Sequence, residues 1–403
     1  MKSSLSYEQL KAAANQHGTP LYVYHAEKIQ SQYQNLLSHF GNTNARFFYA
    51  CKALTNIHIL DLIKRMGCNV DCSSINEAKL ALHVGFTPSN VLYTSNSVSF
   101  EEICEAISLG IHVNIDSLSN LEKFGAKYGA TYPIGVRIRP NIMAGGNLKI
   151  STGHDKSKFG IPVTQLAELK AIQEKYAINI ATLHIHTGSE IKDVQVFMQS
   201  AEVFDTLLSA FPTVNILDFG GGFKVPYKPD EKGTDIALLG AEVNKVIEKL
   251  SAKYGRPLVA WFEPGKYMVS EAGYFLAQVN VLKKSGDTIF AGINTGLNHL
   301  IRPMFYDAYH YIDNLTSPDK TKLPYAVVGN ICETDTFAWD REISEIEEND
   351  LLVFYNAGAY GYEMASNYNA RYKPAQVLIE NNQAKLISRR DNFEDLLHLQ
   401  MPL

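Results

Sequence analysis

Three short motifs place chemically reactive groups directly after apolar, strand-like runs. Lys52 follows the run Arg46–Cys51, and a lysine in an apolar pocket can form a Schiff base, although a solvated charge is the simpler interpretation. The triplet Gly220–Gly222 can bring backbone N–H groups to an anion, or can simply form a tight turn. Glu263 ends another apolar run, and a buried carboxylate there requires a cation, either a protonated pyridine nitrogen or a neighbouring Lys or Arg.

Histidine, cysteine and tyrosine side chains extend this set. His184 and His186 alternate along one strand and therefore share a face. Two such histidines suggest a metal site, but no third ligand is near in sequence, and an imidazole stacked on a flat ring with Ser189 donating to a phosphate fits better. Cys332 is either a small buried hydrophobe or a proton donor beside a polar loop. Tyr360 can offer a hydroxyl group to an anion.

The elements that must position these groups alternate between strands and helices. Strand, helix and strand at this spacing predict βαβ units and a parallel sheet. Eight such units favour a closed (β/α)8 barrel, whose active sites lie at the carboxyl ends of the strands; an open doubly wound sheet is the alternative. The eight predicted strands are Arg46–Cys51, Asn69–Cys72, Val91–Thr94, His112–Ile115, Gly135–Ile138, Ala181–His186, Asn215–Phe219 and Leu258–Phe262.

A second pattern begins near residue 274, where strand-like runs follow one another without long helices. It predicts a mostly antiparallel β domain over 1–24 and 274–403, beside a barrel over 25–273. Leu21–Tyr24 precedes the barrel and is expected to pair with it, while the polar segment Asn141–Phe159 predicts a long loop. The predicted β-domain strands are Tyr274–Leu282, Thr288–Ile293, Tyr325–Val328, Leu351–Tyr355, Ala375–Ile379 and Ala384–Ser388.

Composition excludes several classes of protein. The chain has 403 residues, 46% hydrophobic and 20% charged, with a formal net charge of −5 and no block of like charge, which is unlike a nucleic-acid-binding protein. We find no apolar signal region near the N-terminus and no run of ~18 apolar residues. We therefore expect neither secretion nor a membrane span. Five irregularly spaced cysteines fit a reducing cytoplasm better than a disulfide framework.

Taken in order, the motifs resemble one family over nearly the whole chain, the fold-III pyridoxal-phosphate decarboxylases of basic amino acids. Within that family the chain is more similar to the diaminopimelate decarboxylases than to the ornithine decarboxylases. The motifs shared with the family are Lys52, Asp71 and Glu77 in VDCSSINE, HTGS at 186–189, GGG at 220–222, EPG at 263–265, CE at 332–333 and GAYG at 358–361. Those pointing to the diaminopimelate branch are ISTG at 150–153, KFGI at 158–161, RPMFYDAYH at 302–310, ICE at 331–333 and GAYGYEMASNYNARYKPAQVLI at 358–379.

The resemblance implies a (β/α)8 barrel with a mostly antiparallel β domain, which agrees with the strand count. It also implies that pyridoxal 5′-phosphate is the cofactor and that Lys52 holds it as a Schiff base. His186 would stack on the pyridine ring, and Glu263 would pair with its nitrogen. The cofactor-binding residues implied in this way are Lys52, Asp71, His186, Ser189, Gly222, Glu263, Gly265, Lys266 and Tyr360.

For the substrate, the resemblance implies decarboxylation of meso-2,6-diaminopimelate to L-lysine, the last step of lysine biosynthesis, in a homodimer. Cys332 would be the proton donor, and it and Glu333 would come from the second subunit. The family usually has arginine at the position of Lys266, and the aspartate after the cysteine commonly lies one residue later than Asp335. The substrate-binding residues implied are Lys266, Arg302, Tyr306, Glu333 and Tyr360.

Two alternatives remain at this point. The chain could decarboxylate another basic amino acid, namely ornithine, arginine, lysine or carboxynorspermidine. It could also hold pyridoxal phosphate without decarboxylase activity, although proteins of that kind lack a β domain and its Cys–Glu pair. No metal, nucleic acid or membrane is expected as a partner.

Overall fold

The computed structural model describes residues 3–41, 45–142, 153 and 157–402. They form two compact units. The barrel unit comprises Gln32–Val225 and Lys232–Tyr267, and the β unit comprises Met1–Ser31, Pro226–Glu231 and Met268–Leu403. His154 and most of the predicted loop Asn141–Phe159 lie outside the described residues, as does most of the ISTG motif.

The barrel unit contains a closed sheet of eight parallel strands. Each strand pairs with the next, and closure is completed where the eighth strand pairs with the first, with Trp261 opposite Arg46 and Phe262 opposite Phe47. The predicted barrel is therefore confirmed and the open sheet is excluded. In chain order the barrel strands are Arg46–Ala50, Asn69–Cys72, Val91–Thr94, His112–Ile115, Ile134–Arg139, Ile180–His184, Ile216–Asp218 and Val259–Phe262.

Helices connect successive barrel strands, and their sequences explain where they begin. Ser74, Ser99 and Ser117 each accept a hydrogen bond from the backbone N–H three residues later, which caps the helix that follows. A helix over Ala26–Phe40 leads into the first strand. The remaining helices after strands one to eight are Ile57–Arg65, Ile75–Val84, Phe100–Ser108, Leu118–Tyr128, Leu166–Tyr176, Val194–Leu208, Ile236–Tyr254 and the short Lys266–Val269.

The two ends of the barrel differ in chemistry. At the amino ends of the strands, Phe48, Leu92 and Trp261 form a buried cluster, and the Arg46 guanidinium lies 5.3 Å from the ring centroid of Phe48. Such a cluster fills the barrel interior with apolar side chains. The polar candidate residues of the barrel follow the carboxyl ends of its strands. A two-residue strand, Ile161–Pro162, also pairs with the fifth strand and was not predicted.

The β unit contains a nine-stranded sheet, in which most neighbouring strands are antiparallel, as predicted. The strands Ile312–Asn314 and Thr336–Ser344 were missed. The second carries exposed charged residues at its centre, which interrupt the alternation that marks a strand. The strands are Leu21–His25, Gly273–Ser285, Thr288–Ile293, Ile312–Asn314, Lys322–Val328, Thr336–Ser344, Leu351–Phe354, Ala375–Glu380 and Gln383–Ser388, and the helices are Tyr7–His17, Arg302–Tyr306 and Phe393–Leu397.

The N-terminal strand corrects one expectation. Leu21–His25 pairs with Gly273–Ser285 on one side and with Ala375–Glu380 on the other, instead of with a barrel strand. Its first four residues are fully buried, because they are covered on both faces of the β-unit sheet, where Leu21 and Val23 pack into an apolar cluster. Among the described residues, no helix is both long and apolar enough to cross a membrane.

Candidate active site

Lys52 lies immediately beyond the first barrel strand, in a single helical turn over Cys51–Ala53. Its Nζ atom is 3.6 Å from Oδ2 of Asp71, which is completely buried at the end of the second strand, whereas Lys52 is 41% exposed. Burial, followed by the nearby charge of Glu263, raises the pKa of Asp71 well above its usual range, and Lys52 opposes this shift. The Lys52 amine is thus held beside a buried acid, while the lysine side chain remains partly exposed.

Glu263, at the end of the eighth strand, is buried and held by two neighbouring polar side chains. Its Oε1 lies 3.4 Å from Nε2 of His184 and accepts a 3.2 Å hydrogen bond from Thr94, which in turn accepts one from Asn114. Burial alone would raise the pKa of Glu263, but His184 and the Lys52 ammonium hold it below its usual value. The carboxylate is therefore ionised inside the barrel and suited to pair with a cationic ligand.

Asp218 brings a third polar group to the same place. One ligand atom each from His184, Asp218 and Glu263 lies within 4.8 Å of the other two, a spacing that a metal ion could use. The metal site considered from the sequence was a different one, with His184 and His186 as its ligands. Burial, followed by the charge of Glu263, raises the pKa of Asp218 well above its usual range, while its Oδ1 accepts a hydrogen bond from the Gly220 N–H.

His186 lies against the glycine triplet. Its Nδ1 accepts a 3.3 Å hydrogen bond from the Gly221 N–H, and a Cβ at Gly220 would come within 2.7 Å of the imidazole. Enclosure of the ring, followed by the charge of Arg137, lowers the pKa of His186 well below its usual value. The side chain is therefore a neutral, flat ring with a fixed orientation, which suits stacking on another flat ring.

Close backbone approaches explain the need for glycine after the sixth and seventh strands. Gly222 has φ +100°, and a Cβ there would lie 2.1 Å from the carbonyl oxygen of Gly188; a Cβ at Gly221 would lie 2.2 Å from the carbonyl oxygen of Glu263. The Ile191 N–H also donates to the Gly222 carbonyl at 2.8 Å. These contacts fix the loop that carries Ser189 beside the triplet, forming a backbone cradle of the kind that binds anions.

Lys266 follows Gly265, which itself lies close to the first strand, since a Cβ at Gly265 would be 3.0 Å from the carbonyl oxygen of Ala50. The Lys266 ammonium donates to Oε1 of Glu190, and Lys224 Nζ lies 3.8 Å from Oε2 of the same carboxylate. Sequence reasoning included Lys266 but missed Glu190 and Lys224. Neither residue carried a signal of its own, since the contact joins loops that are separate in the sequence.

In the β unit, Arg302 is buried at the start of a short helix. Its Nη1 donates to the Tyr227 hydroxyl at 3.1 Å and to the Ala359 carbonyl at 3.3 Å, next to Tyr360, which adopts the left-handed conformation with φ +57°. The Arg302 Nε atom has no hydrogen-bond partner within the described part of the chain. Arg302 thus contacts the residue that precedes Tyr360, and Tyr306 ends the short helix that begins at Arg302.

Cys332 and Glu333 lie on an exposed loop of the β unit. The Cys332 N–H donates to Asn369 at 2.9 Å, and the Tyr368 hydroxyl donates to Glu333 at 2.8 Å. Asp335, whose position departs from the family pattern, turns inward and is buried; a Cβ at Gly329 would lie 1.9 Å from its Oδ2. The Cys332 thiol and the Glu333 carboxylate therefore lie on an exposed loop, which the buried Asp335 holds in place.

The predicted barrel residues share the carboxyl end of the barrel, and the predicted β-unit residues form two groups, one around Arg302 and one around Cys332. Their assigned roles stay predictions. The residues that sequence reasoning did not place in the site are Thr94, Asn114, Glu190, Asp218, Lys224 and Tyr227. A signal existed for Thr94 and Asp218, which end barrel strands, but Asn114 and Tyr227 have no motif around them.

Comparison with known proteins gives a consistent result. Residues 26–270 match the family model described as pyridoxal-dependent decarboxylase, pyridoxal binding domain. A diaminopimelate decarboxylase from Methanothermobacter thermautotrophicus is 36% identical, over 96% of this chain and 92% of the relative. A crystal structure of diaminopimelate decarboxylase superposes with a TM-score of 0.91 at 30% identity, covering 99% and 98% of the two chains. The Helicobacter pylori enzyme complexed with L-lysine gives 0.89 at 31%, covering 98% and 99%.

Proposed function

The chain belongs to the diaminopimelate decarboxylase family, and on that premise we propose that it converts meso-2,6-diaminopimelate to L-lysine and CO2 with pyridoxal 5′-phosphate. This reaction completes lysine biosynthesis. The observation that carries the proposal is the joint placement of accessible Lys52 and buried, ionised Glu263 at the same end of the barrel. A lysine and a carboxylate in this setting match the aldehyde and the pyridine nitrogen of that cofactor.

The barrel residues fit the cofactor part by part. Lys52 supplies an amine for the aldehyde, and Glu263 a carboxylate that keeps a pyridine nitrogen protonated. His186 offers a neutral flat ring, and the loop at Gly222, which packs closely against Gly188, would offer backbone N–H groups to a phosphate. When bound, pyridoxal phosphate supplies an electron sink for the negative charge left on the substrate carbon after CO2 departs.

The substrate is selected by charges at its far end. Meso-diaminopimelate carries an ammonium and a carboxylate remote from the reacting carbon, so its recognition needs both a cation and an anion. We assign the cation to Arg302, whose buried Nε has no hydrogen-bond partner in the described part of the chain, and the anion to Glu333. Tyr306 and Tyr360 complete this contact. A substrate such as ornithine needs only the anion.

Protonation of the reacting carbon falls to Cys332, which is an exposed thiol and acts as a general acid. Because Cys332 and Glu333 both point outward from their own unit, we propose that they serve the site of a second copy of the chain, in a homodimer. A reducing compartment such as the cytoplasm suits this role, since an oxidised thiol could not donate the proton.

The alternative substrates are ornithine, arginine, lysine and carboxynorspermidine. Arg302 disfavours those that carry no remote carboxylate, because they would offer the buried guanidinium no negative charge. Cofactor storage without decarboxylation is disfavoured by the β unit itself, since that activity needs neither Cys332 nor Glu333.

The decisive experiment measures CO2 release from each of these amino acids and from meso-diaminopimelate, with added pyridoxal phosphate and identification of the product. We expect release from meso-diaminopimelate with stoichiometric L-lysine, insensitivity to metal chelators and no release by a Lys52→Ala variant. Faster turnover of another amino acid would overturn the substrate assignment. Loss of activity on chelation would instead assign His184, Asp218 and Glu263 to a metal ion.

A further inference from the structure

Three charged side chains surround the proposed phosphate cradle, each next to one of its motifs. Glu190 follows Ser189, Lys266 follows Gly265, and Lys224 lies two residues after Gly222. The Glu190 carboxylate contacts both ammonium groups, accepting from Lys266 through Oε1 and lying 3.8 Å from Lys224 through Oε2. Their side chains are only 11% (Lys266), 19% (Lys224) and 21% (Glu190) exposed, so solvent screens these charges less than it screens charges at an open surface.

The backbone places Glu190 in this position. Its φ of +62° is in the left-handed region, which a residue with a long side chain adopts only where the surroundings impose it. The imposing contacts are made by the next residue, because the Ile191 N–H donates to the Gly222 carbonyl and the Lys224 N–H donates to the Ile191 carbonyl. The carboxylate is therefore fixed between the two lysines by the same loop contacts that form the cradle.

A carboxylate between two lysines changes what the cradle can bind. The two ammonium groups carry a charge of +2, and Glu190 reduces the charge of the trio to +1. A phosphate monoester is close to a dianion near neutral pH, so it is attracted by both lysines and repelled by Glu190, which also shares their hydrogen bonds. Because these groups are mostly buried, the repulsion acts at a low effective dielectric constant.

We propose that Glu190 is a specificity-determining residue, which competes with the phosphate group for Lys224 and Lys266 and so limits how much more tightly the phosphorylated cofactor binds than its unphosphorylated form. This inference rests on the proposed function, which supplies pyridoxal phosphate as the ligand. The competing explanation is an ordinary ion pair, which contributes little and would leave the discrimination unchanged.

The test titrates apoenzyme with pyridoxal phosphate and with pyridoxal, which lacks only the phosphate, at two salt concentrations. Dissociation constants are measured by equilibrium dialysis, independently of catalysis. We expect Glu190→Gln to bind pyridoxal phosphate about tenfold more tightly, with a steeper salt dependence and unchanged affinity for pyridoxal. Lys266→Met should weaken binding of pyridoxal phosphate selectively. Glu242→Gln, which removes an exposed ion pair with Lys245, should change nothing.

Two further points make the outcome decisive. Glu190→Asn removes the same charge and tolerates a left-handed backbone, so it repeats the test if the glutamine variant folds poorly. Unchanged or weaker binding of pyridoxal phosphate by both variants, or equal changes for both ligands, would overturn the role of Glu190. Failure of the wild-type protein to prefer pyridoxal phosphate over pyridoxal would instead overturn the proposed function.

Discussion

The Glu263 carboxylate oxygen Oε1 lies 3.4 Å from the imidazole Nε2 of His184, with both side chains almost completely buried. Burial is the largest cause of the lowered pKa of His184, so the imidazole is neutral and does not neutralise the carboxylate. The negative charge of Glu263 is therefore preserved inside the barrel for a ligand cation.

Replacement of Glu263 by glutamine keeps the shape and the contact with Thr94 but removes that charge. A pyridine nitrogen facing the amide would lose its proton, and the cofactor would accept electrons poorly. We expect kcat to fall by about 100-fold or more, corresponding to ~3 kcal/mol of lost transition-state stabilisation. Stopped assays of CO2 release check this, with Glu242→Gln as a matched control; an unchanged kcat would contradict the role of Glu263.

Removal of the Lys52 amine should abolish the visible absorbance of the bound cofactor. The Lys52→Ala variant cannot join covalently to the aldehyde, so dialysis should remove pyridoxal phosphate from it. The spectrum after dialysis is the measurement, and Lys245→Ala, at an exposed site, should keep its visible band. A band that survives dialysis in Lys52→Ala would show that another amine is the anchor.

Arg302→Ala tests recognition of the remote carboxylate. A hydrogen bond to a charged group contributes ~1.5–3 kcal/mol, so KM for meso-diaminopimelate should rise by about 10- to 100-fold. KM for lysine-like analogues without that carboxylate should change much less. Arg389→Ala, which removes an exposed ion pair with Asp395, serves as the control. Equal effects of Arg302→Ala on both kinds of substrate would contradict the assignment.

Sharing of sites between two copies can be tested by mixing inactive variants. If Lys52 of one copy works with Cys332 of the other, a mixed dimer of Lys52→Ala and Cys332→Ala chains has one intact site of two. Random exchange should then restore about 25% of wild-type activity, since half of the dimers are mixed. Mixing Lys52→Ala with the double variant should restore none, and no recovery in the first mixture would place both residues in one chain's site.

A half-buried histidine, His112, at the amino end of the fourth barrel strand predicts acid sensitivity. Burial lowers the pKa of His112 to about 4, from ~6.5 in the unfolded chain. Below pH 6.5 the unfolded state therefore binds a proton that the native state does not, and stability falls with acidification. Between pH 7.5 and 5, this group should cost about 2 kcal/mol.

The measurement can use a neighbouring fluorophore. The His112 ring lies 5.3 Å from that of Trp261, and the only other tryptophan is Trp339, so a Trp339→Phe background reports on the barrel alone. Denaturant unfolding in this background at both pH values should show the loss of stability, and His112→Gln should reduce it. An identical loss in both proteins would exclude His112 as the cause.

The sequence predicted the parts of the site that depend on short motifs at strand ends. Lys52, Glu263 and Gly222 each follow a recognisable apolar run, and the closed barrel brings such positions together by its topology. Glu190 and Lys224 were not predicted, because they come together only through a hydrogen-bonded contact between two loops that are separate in the sequence. A charged residue in a loop otherwise carries no signal of its own.

The N-terminal strand shows a second limit. Its apolar pattern predicted a strand correctly, yet its partners could not be inferred from neighbouring sequence, because Leu21–His25 lies between strands that follow some 250 and 350 residues later. Pairing over such distances depends on the final sheet order, which periodicity does not encode.

That same strand dictates an order of assembly during synthesis. Leu21–His25 cannot acquire both neighbours until Ala375–Glu380 has left the ribosome, whereas all eight barrel strands end by Phe262. Domains fold as units while the chain emerges. The barrel can therefore close before the partner strands of Leu21–His25 have been synthesised. A chain truncated before residue 375 would retain its barrel but leave one edge of that strand open, where unpaired strands from other chains can add.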